Sequence, residues 1–136
     1  MDLATFGAIM SYALEIEERA FEFYTAAARG QLEEVFSDLA RASKKRAKRM
    51  ERTRREGVAE MILEPITGLN GEDYLVGLSS EADEPALLKQ ALALTESATR
   101  FYRDAAAKLP IREVVRTFTR MADESEKHRS RLAELE

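Results

Sequence analysis

Residues 39–50, LARASKKRAKRM, decide the reading of this chain. Leu39, Ser43, Arg46 and Met50 fall at four- and three-residue steps, the spacing that lines one face of a helix. The outer two are apolar and the inner two polar. Residues 121–132, MADESEKHRSRL, repeat the pattern with Met121, Ser125, His128 and Leu132. Polar groups in the middle of an apolar seam need partners, because burying an uncompensated charge or hydrogen-bonding group costs free energy.

Working outward, the rest of the chain reads as helix around these two stretches. Residues 5–29 carry Phe6, Ile9, Met10, Ala13, Ile16, Ala20, Phe23/Tyr24 and Ala27 at helical spacing, with Thr5 as a cap and Gly30 as a stop. Glu17 falls within this apolar arc, whereas Glu15, Arg19 and Glu22 fall outside it. The second helix covers 31 to about 56, with Val35 at the head of its stripe and Lys44, Lys45, Lys48 and Arg49 able to reach water; Val58 to Leu63 could extend it. Asp83-Glu84-Pro85 is a helix start, a capping side chain followed by proline in the first turn. The third helix then runs to Lys108 with Leu88, Ala91, Thr95, Ala98, Tyr102 and Ala105 on one face. Pro110 breaks the chain before a fourth helix that begins its seam at Val114 and Phe118. Residues 64–83 are the one long connection. Pro65, Gly68 and Asn70-Gly71 mark turns there, and Tyr74, Leu75, Val76 and Leu78 are expected to pack on the helices, with a short helix among them.

The two halves match. ALEIEERAFEFYTAAA (13–28) aligns with ALALTESATRFYRDAAA (91–107), setting Phe23-Tyr24 over Phe101-Tyr102, and LARASKKR aligns with MADESEKH. Glu17/Thr95, Ser43/Ser125 and Arg46/His128 are therefore corresponding positions. Two helical hairpins joined by a crossover make an all-α four-helix bundle.

Composition narrows the chemistry. The 136 residues are 45% apolar and 34% charged, which suits one helical domain with a core. There is no cysteine, which removes disulfides, thiolate zinc sites, iron–sulfur clusters and thiol catalysis. No apolar run approaches the ~18 residues of a membrane span, and the N-terminus lacks a basic leader, so a cytoplasmic protein without a membrane partner is expected. Net charge is −4, yet residues 41–55 hold nine Lys/Arg against one Glu, a local +8. No aromatic interrupts that run, so nucleic acid is not the expected partner.

The Glu17-x-x-Ala20-x-x-Phe23-Tyr24 segment, its repeat through Phe101-Tyr102, and the Ser43-x-x-Arg46 and Ser125-x-x-His128 pairs resemble the ferritin-like superfamily, specifically its rubrerythrin-like branch. The resemblance covers most of residues 1–136 outside the 64–83 connection and implies a single ferritin-like domain. It also implies a di-iron centre that reduces peroxide or oxidises ferrous iron, usually in a dimer or larger oligomer. In such bundles two helices each give a Glu and two each give a Glu-x-x-His pair. Only Glu17 and His128 keep those ligand types here. Ser43, Thr95 and Ser125 stand where carboxylates would, and Arg46 stands where a His would.

The expectation is thus a degenerate relative, non-catalytic and without a di-iron centre or other cofactor. Arg46 would fill the space of the metals and pair with Glu17, with His128 and the hydroxyls of Ser43, Thr95 and Ser125 completing its bonds. Such a protein would act as a binding or structural module, self-associating as a dimer. An alternative is an iron-binding peroxidase- or ferroxidase-like enzyme using Glu17 and His128, with Glu96 or Glu124 turned inward as replacement ligands. A second alternative is an adaptor for an anionic partner through Arg41 to Arg55.

Overall fold

The structure is a computed structural model that describes residues 2–57 and 66–136. In order, the elements are α1 (Phe6–Ala27), a 3-10 turn (Gly30–Leu32), α2 (Glu33–Gly57), a second 3-10 turn (Gly71–Tyr74), α3 (Glu84–Lys108) and α4 (Arg112–Ala133). No strand occurs among the described residues. The proposed helical extension over Val58 to Leu63, and the first two residues of the 64–83 connection, lie outside the described residues.

The helix ends follow local chemistry. The Thr5 hydroxyl accepts from the Ala8 amide at 3.0 Å, satisfying one of the free donors of the first turn of α1. The Asp83 carboxylate does the same for Ala86 at 3.0 Å, with proline in the first turn of α3. Between α1 and α2 the chain reverses at Gly30, whose φ of 57° is a left-handed conformation that favours glycine. The Glu84 carboxylate packs there and accepts from the Gln31 amide at 2.8 Å, so the turn of the first hairpin is tied to the start of the second. A Cβ at residue 30 would come within 2.7 Å of that carboxylate.

The helices pack as two hairpins, α1 on α2 and α3 on α4, which meet through α2–α4 and α1–α3. Contacts give the directions. The start of α1 packs with Met50 near the end of α2, with the last turns of α3 and with the first turns of α4, while the end of α1 packs with the start of α2, the start of α3 and Leu132 of α4, so each adjacent pair runs antiparallel. This is a four-helix bundle.

The crossover is held by side chains reaching out from the helices. Arg19 donates to the Val76 carbonyl at 3.2 Å, and Arg29 donates to those of Ser80 and Ala82 at 2.8 and 2.9 Å. The Tyr12 and Ser97 hydroxyls donate to the carbonyls of Gly71 and Tyr74. Backbone carbonyls of the crossover are thereby given donors. Tyr74 packs as expected, its ring edge-on to Phe101 with centroids 5.4 Å apart. Leu75 does not: it is 58% exposed. Its backbone is extended, so neighbouring side chains point to opposite sides, and burying Tyr74 turns Leu75 outward.

The apolar core falls into two bodies. One is built around Ile9, Met10, Phe101, Tyr102, Phe118 and Met121, and the other around Phe23, Tyr24, Phe36, Leu39, Leu87 and Leu132. On every helix the break between them comes at the polar inner positions: Glu17 on α1, Ser43 and Arg46 on α2, Thr95 on α3, and Ser125 and His128 on α4. The six positions read from the sequence form one polar layer across the middle of the bundle.

Candidate functional site

The centre of that layer is an ion pair. Arg46 and Glu17 are 5% and 2% exposed, and the Arg46 Nε lies 2.8 Å from Glu17 Oε2. Both project from inner stripes, Glu17 between Ala13 and Ala20 and Arg46 two turns after Leu39 and one before Met50, which is why the sequence places them inside. The same carboxylate oxygen accepts from the Tyr102 hydroxyl at 2.8 Å. Two donors, one from α2 and one from α3, thus share a single carboxylate oxygen.

The rest of the guanidinium is more loosely held. One terminal nitrogen lies 3.4 Å from His128 Nδ1 and 3.7 Å from Glu124 Oε1, and the other donates to Ser43 Oγ at 3.4 Å. Burial works against the charged guanidinium, but the Glu17 charge and hydrogen bond outweigh it and raise the Arg46 pKa. Arg46 stays cationic at any ordinary pH. His128 responds in the opposite sense. Burial, reinforced by the Arg46 charge, pushes its pKa down to about 4. The imidazole is therefore neutral near pH 7, with Nδ1 free to accept from Arg46.

Several expectations need correction. Thr95 lies in the layer but does not serve the pair. Its hydroxyl turns back to the Ala91 and Leu92 carbonyls of its own helix at 3.1 and 3.0 Å, a local bond a mid-helix threonine readily makes. Ser125 is buried, and among the described residues no hydrogen bond joins it to the pair. Glu96, a candidate replacement ligand, is exposed, because one residue turns a helix by ~100° and carries it off the inner face. Glu124 reaches the edge of the layer as a counter-ion: it lies 3.1 Å from Arg49 and 3.5 Å from Arg120 as well as near Arg46. Arg49, expected to reach water, is drawn half under by that contact.

Tyr102 joins the layer too, although in the sequence it stands only as another aromatic on the inner stripe of α3. A signal was present: it sits two turns beyond Thr95 on the inner stripe, and a buried tyrosine hydroxyl usually finds a partner. Its counterpart Tyr24 stands two turns beyond Glu17. The position in the second half that matches Glu17 is Thr95, which offers no carboxylate and is engaged with its own helix. Among the described residues the Tyr24 hydroxyl is buried without a hydrogen-bond partner. Burial raises the pKa of both phenols, and the nearby Glu17 charge raises that of Tyr102 further, so both remain protonated.

These residues do not fit a di-iron centre. Hard iron ions need several carboxylate oxygens, and the layer offers Glu17, whose Oε2 already accepts from Arg46 and Tyr102, with Glu124 at its rim. A fixed guanidinium in the middle repels a cation directly. Among the described residues no three His, Cys, Asp or Glu side chains come together in a group that could hold a metal ion. None of the described helices is long and apolar enough to cross a membrane.

Two predictions follow from the layer. Tyr102→Phe removes a hydrogen bond to a charged group and should cost about 1.5–3 kcal/mol in urea unfolding, whereas Tyr24→Phe removes an orphaned hydroxyl and should be neutral or stabilising. A loss at Tyr24 equal to that at Tyr102 would contradict the asymmetry. The His128 pKa is depressed on folding, so the unfolded chain binds the extra proton first. The stability that His128 contributes is full above about pH 6.5, the ordinary histidine value, and drains as the pH falls toward 4. The melting temperature should fall between pH 7 and pH 4.5, and His128→Gln should flatten that fall; identical pH profiles would contradict it.

In comparisons with known proteins no family model matches the chain, and no curated protein and no solved structure matches it.

Proposed function

We propose that this chain is a non-catalytic relative of the rubrerythrin-like, ferritin-like bundles in which a buried Glu17–Arg46 pair occupies the place of the metals. It serves as a structural or binding module. The observation that carries this reading is the 2.8 Å contact between Arg46 Nε and Glu17 Oε2 at the level where all four helices turn polar residues inward. The duplication supports it, since the six positions that align between the halves all fall in that layer.

The chemical argument is one of donors and charge. An oxidase or peroxidase of this architecture needs oxygen ligands around open metal positions. Here serine, threonine and arginine stand at four of the six positions. The guanidinium supplies inside the molecule the positive charge that Glu17 requires, so the bundle can close without a bound ion.

Anaerobic loading with ferrous ion, followed by desalting and elemental analysis, tests the reading. No stoichiometric iron should remain, and addition of peroxide should leave the absorption spectrum unchanged. Retention of about two irons per chain with a peroxide-dependent spectral change would overturn it.

A further inference from the structure

The groove between α2 and α4 is lined by cations from both helices. On α2, Asp38, Arg41, Lys45, Arg49 and Arg52 follow at steps of three and four and form one line along the helix. On α4, Arg120, Glu124, Lys127 and Arg131 do the same. Two contacts cross the groove and turn these lines toward each other: Arg131 lies 2.9 Å from Asp38, and Arg49 lies 3.1 Å from Glu124. The opposite edges of both helices are engaged elsewhere, Lys44 over the Phe21 ring of α1 and Asp123 and Glu126 with Arg103 of α3. Along the two lines seven cations stand against two acids, a net +5, which leaves −9 for the rest of a chain whose net charge is −4.

The heights are fixed by the same two contacts and by Arg46 against His128 at 3.4 Å. Because α2 and α4 run antiparallel, Arg41 stands opposite Arg131, Lys45 opposite Lys127, and Arg52 opposite Arg120, to within a turn. Asp38 serves both Arg41 and Arg131, and Glu124 serves both Arg49 and Arg120. Lys45, Arg52 and Lys127 are exposed, and among the described residues no ion pair engages them. Like charges held at one level across a groove repel, and an anion seated between them relieves that repulsion.

We propose that the α2–α4 groove binds the phosphate backbone of double-stranded nucleic acid without regard to sequence. This names a partner for the binding module proposed above and rests on that reading. From Arg41 to Arg52 the line is about 16 Å long, at about 1.5 Å per helical residue. Over that length one strand of a duplex presents about five phosphates. Five of the seven cations are arginines, whose planar fork suits phosphate oxygens. Contacts of this kind hold the backbone and read no bases.

Other anionic partners fit the face less well. Neither line carries an apolar side chain between its charges, so the face lacks the anchors of a protein–protein hot spot and of a membrane-surface helix. It also lacks aromatics, so a single strand finds nothing on which to stack its bases. That argument against nucleic acid holds for single strands alone, because the bases of a duplex are already stacked on one another. The acidic remainder of the surface repels a polyanion, which confines it to this groove.

Fluorescence anisotropy of a labelled duplex of about 20 base pairs, titrated with the intact chain at about 50 mM salt, tests the proposal. Affinity should be the same for unrelated sequences. It should weaken as salt rises, log K against log salt falling with a slope of about −4, as for four or five neutralised phosphates. Lys45→Gln/Lys127→Gln removes one facing pair and should weaken binding about tenfold or more, with the slope shallower by about 2. Lys44→Gln/Lys48→Gln removes the same charge from positions off the groove line and should change affinity less than about twofold. All four side chains are exposed, so both variants should keep the helical circular dichroism of the wild type. No binding of the duplex, or equal losses in the two variants, would overturn the proposal. So would tighter binding of a single strand of the same length, of inorganic polyphosphate, of polyglutamate or of vesicles with anionic headgroups. Duplex binding reports on the groove and iron retention on the interior, so failure of one reading is distinguishable from failure of the other.

Discussion

A guanidinium and a carboxylate are enclosed at the centre of a four-helix bundle, and the remaining architecture has to accommodate them. An unpaired charge at that depth would cost several kcal/mol even after relaxation, so neither Glu17 nor Arg46 is tolerable without the other. Their contact fixes the level of α1 against α2. The Tyr102 hydroxyl fixes α3 against the same oxygen, and His128 and Glu124 bring α4 to the far side of Arg46. The pair thus contributes register more than net stability. Intact buried pairs often do little better than well-packed apolar replacements, while a broken one is strongly destabilising. The two apolar bodies on either side supply the bulk of the burial, with aromatic contacts such as Tyr102–Phe118 and Tyr24–Phe36 at 5.4 and 5.2 Å bracketing the layer.

Much of this was legible in the chain. Helical spacing alone placed Glu17 and Arg46 on inner faces, and the cost of an uncompensated charge made them partners. Thr5, Gly30 and the Asp83–Pro85 start marked ends that the structure keeps, because caps and turns are decided within a few residues. What was not legible depended on competition between nearby groups. Thr95 had the right position to help the pair, but its hydroxyl found two carbonyls of its own helix closer at hand. Tyr102 reads as another aromatic of the stripe until the repeat is used to ask where its hydroxyl points. Leu75 looked apolar enough to bury, but the extended backbone after Tyr74 turned it out. Glu124 sits one residue from the inner seam, and only the three arginines around it reveal its role as a shared counter-ion.

The two halves fill their common pattern unequally. One oxygen of the first half, on Glu17, takes a donor from each half. The matching place in the second half holds Thr95, bonded to its own helix, and among the described residues the Tyr24 hydroxyl has no acceptor. The outer surface shows its own division: cations of α2 and α4 line one groove at matching heights. Interior and exterior are linked through Arg46, since its contacts with α4 also set the levels at which the charges of that groove stand. An all-helical bundle of this kind is no warrant for an activity by itself. The side chains in its central layer carry the functional argument, and they are those of a closed, internally neutralised interior.

The most direct measurement is a double-mutant cycle across the central pair, read by urea unfolding. Glu17→Leu and Arg46→Met should each cost about 3–5 kcal/mol, because each leaves a buried charge alone. The double replacement, combined with Tyr102→Phe so that no donor is stranded, should recover most of that loss. Single substitutions costing less than about 1 kcal/mol, as an exposed pair would, or losses that simply add in the double variant, would contradict a buried pair at the centre of this fold.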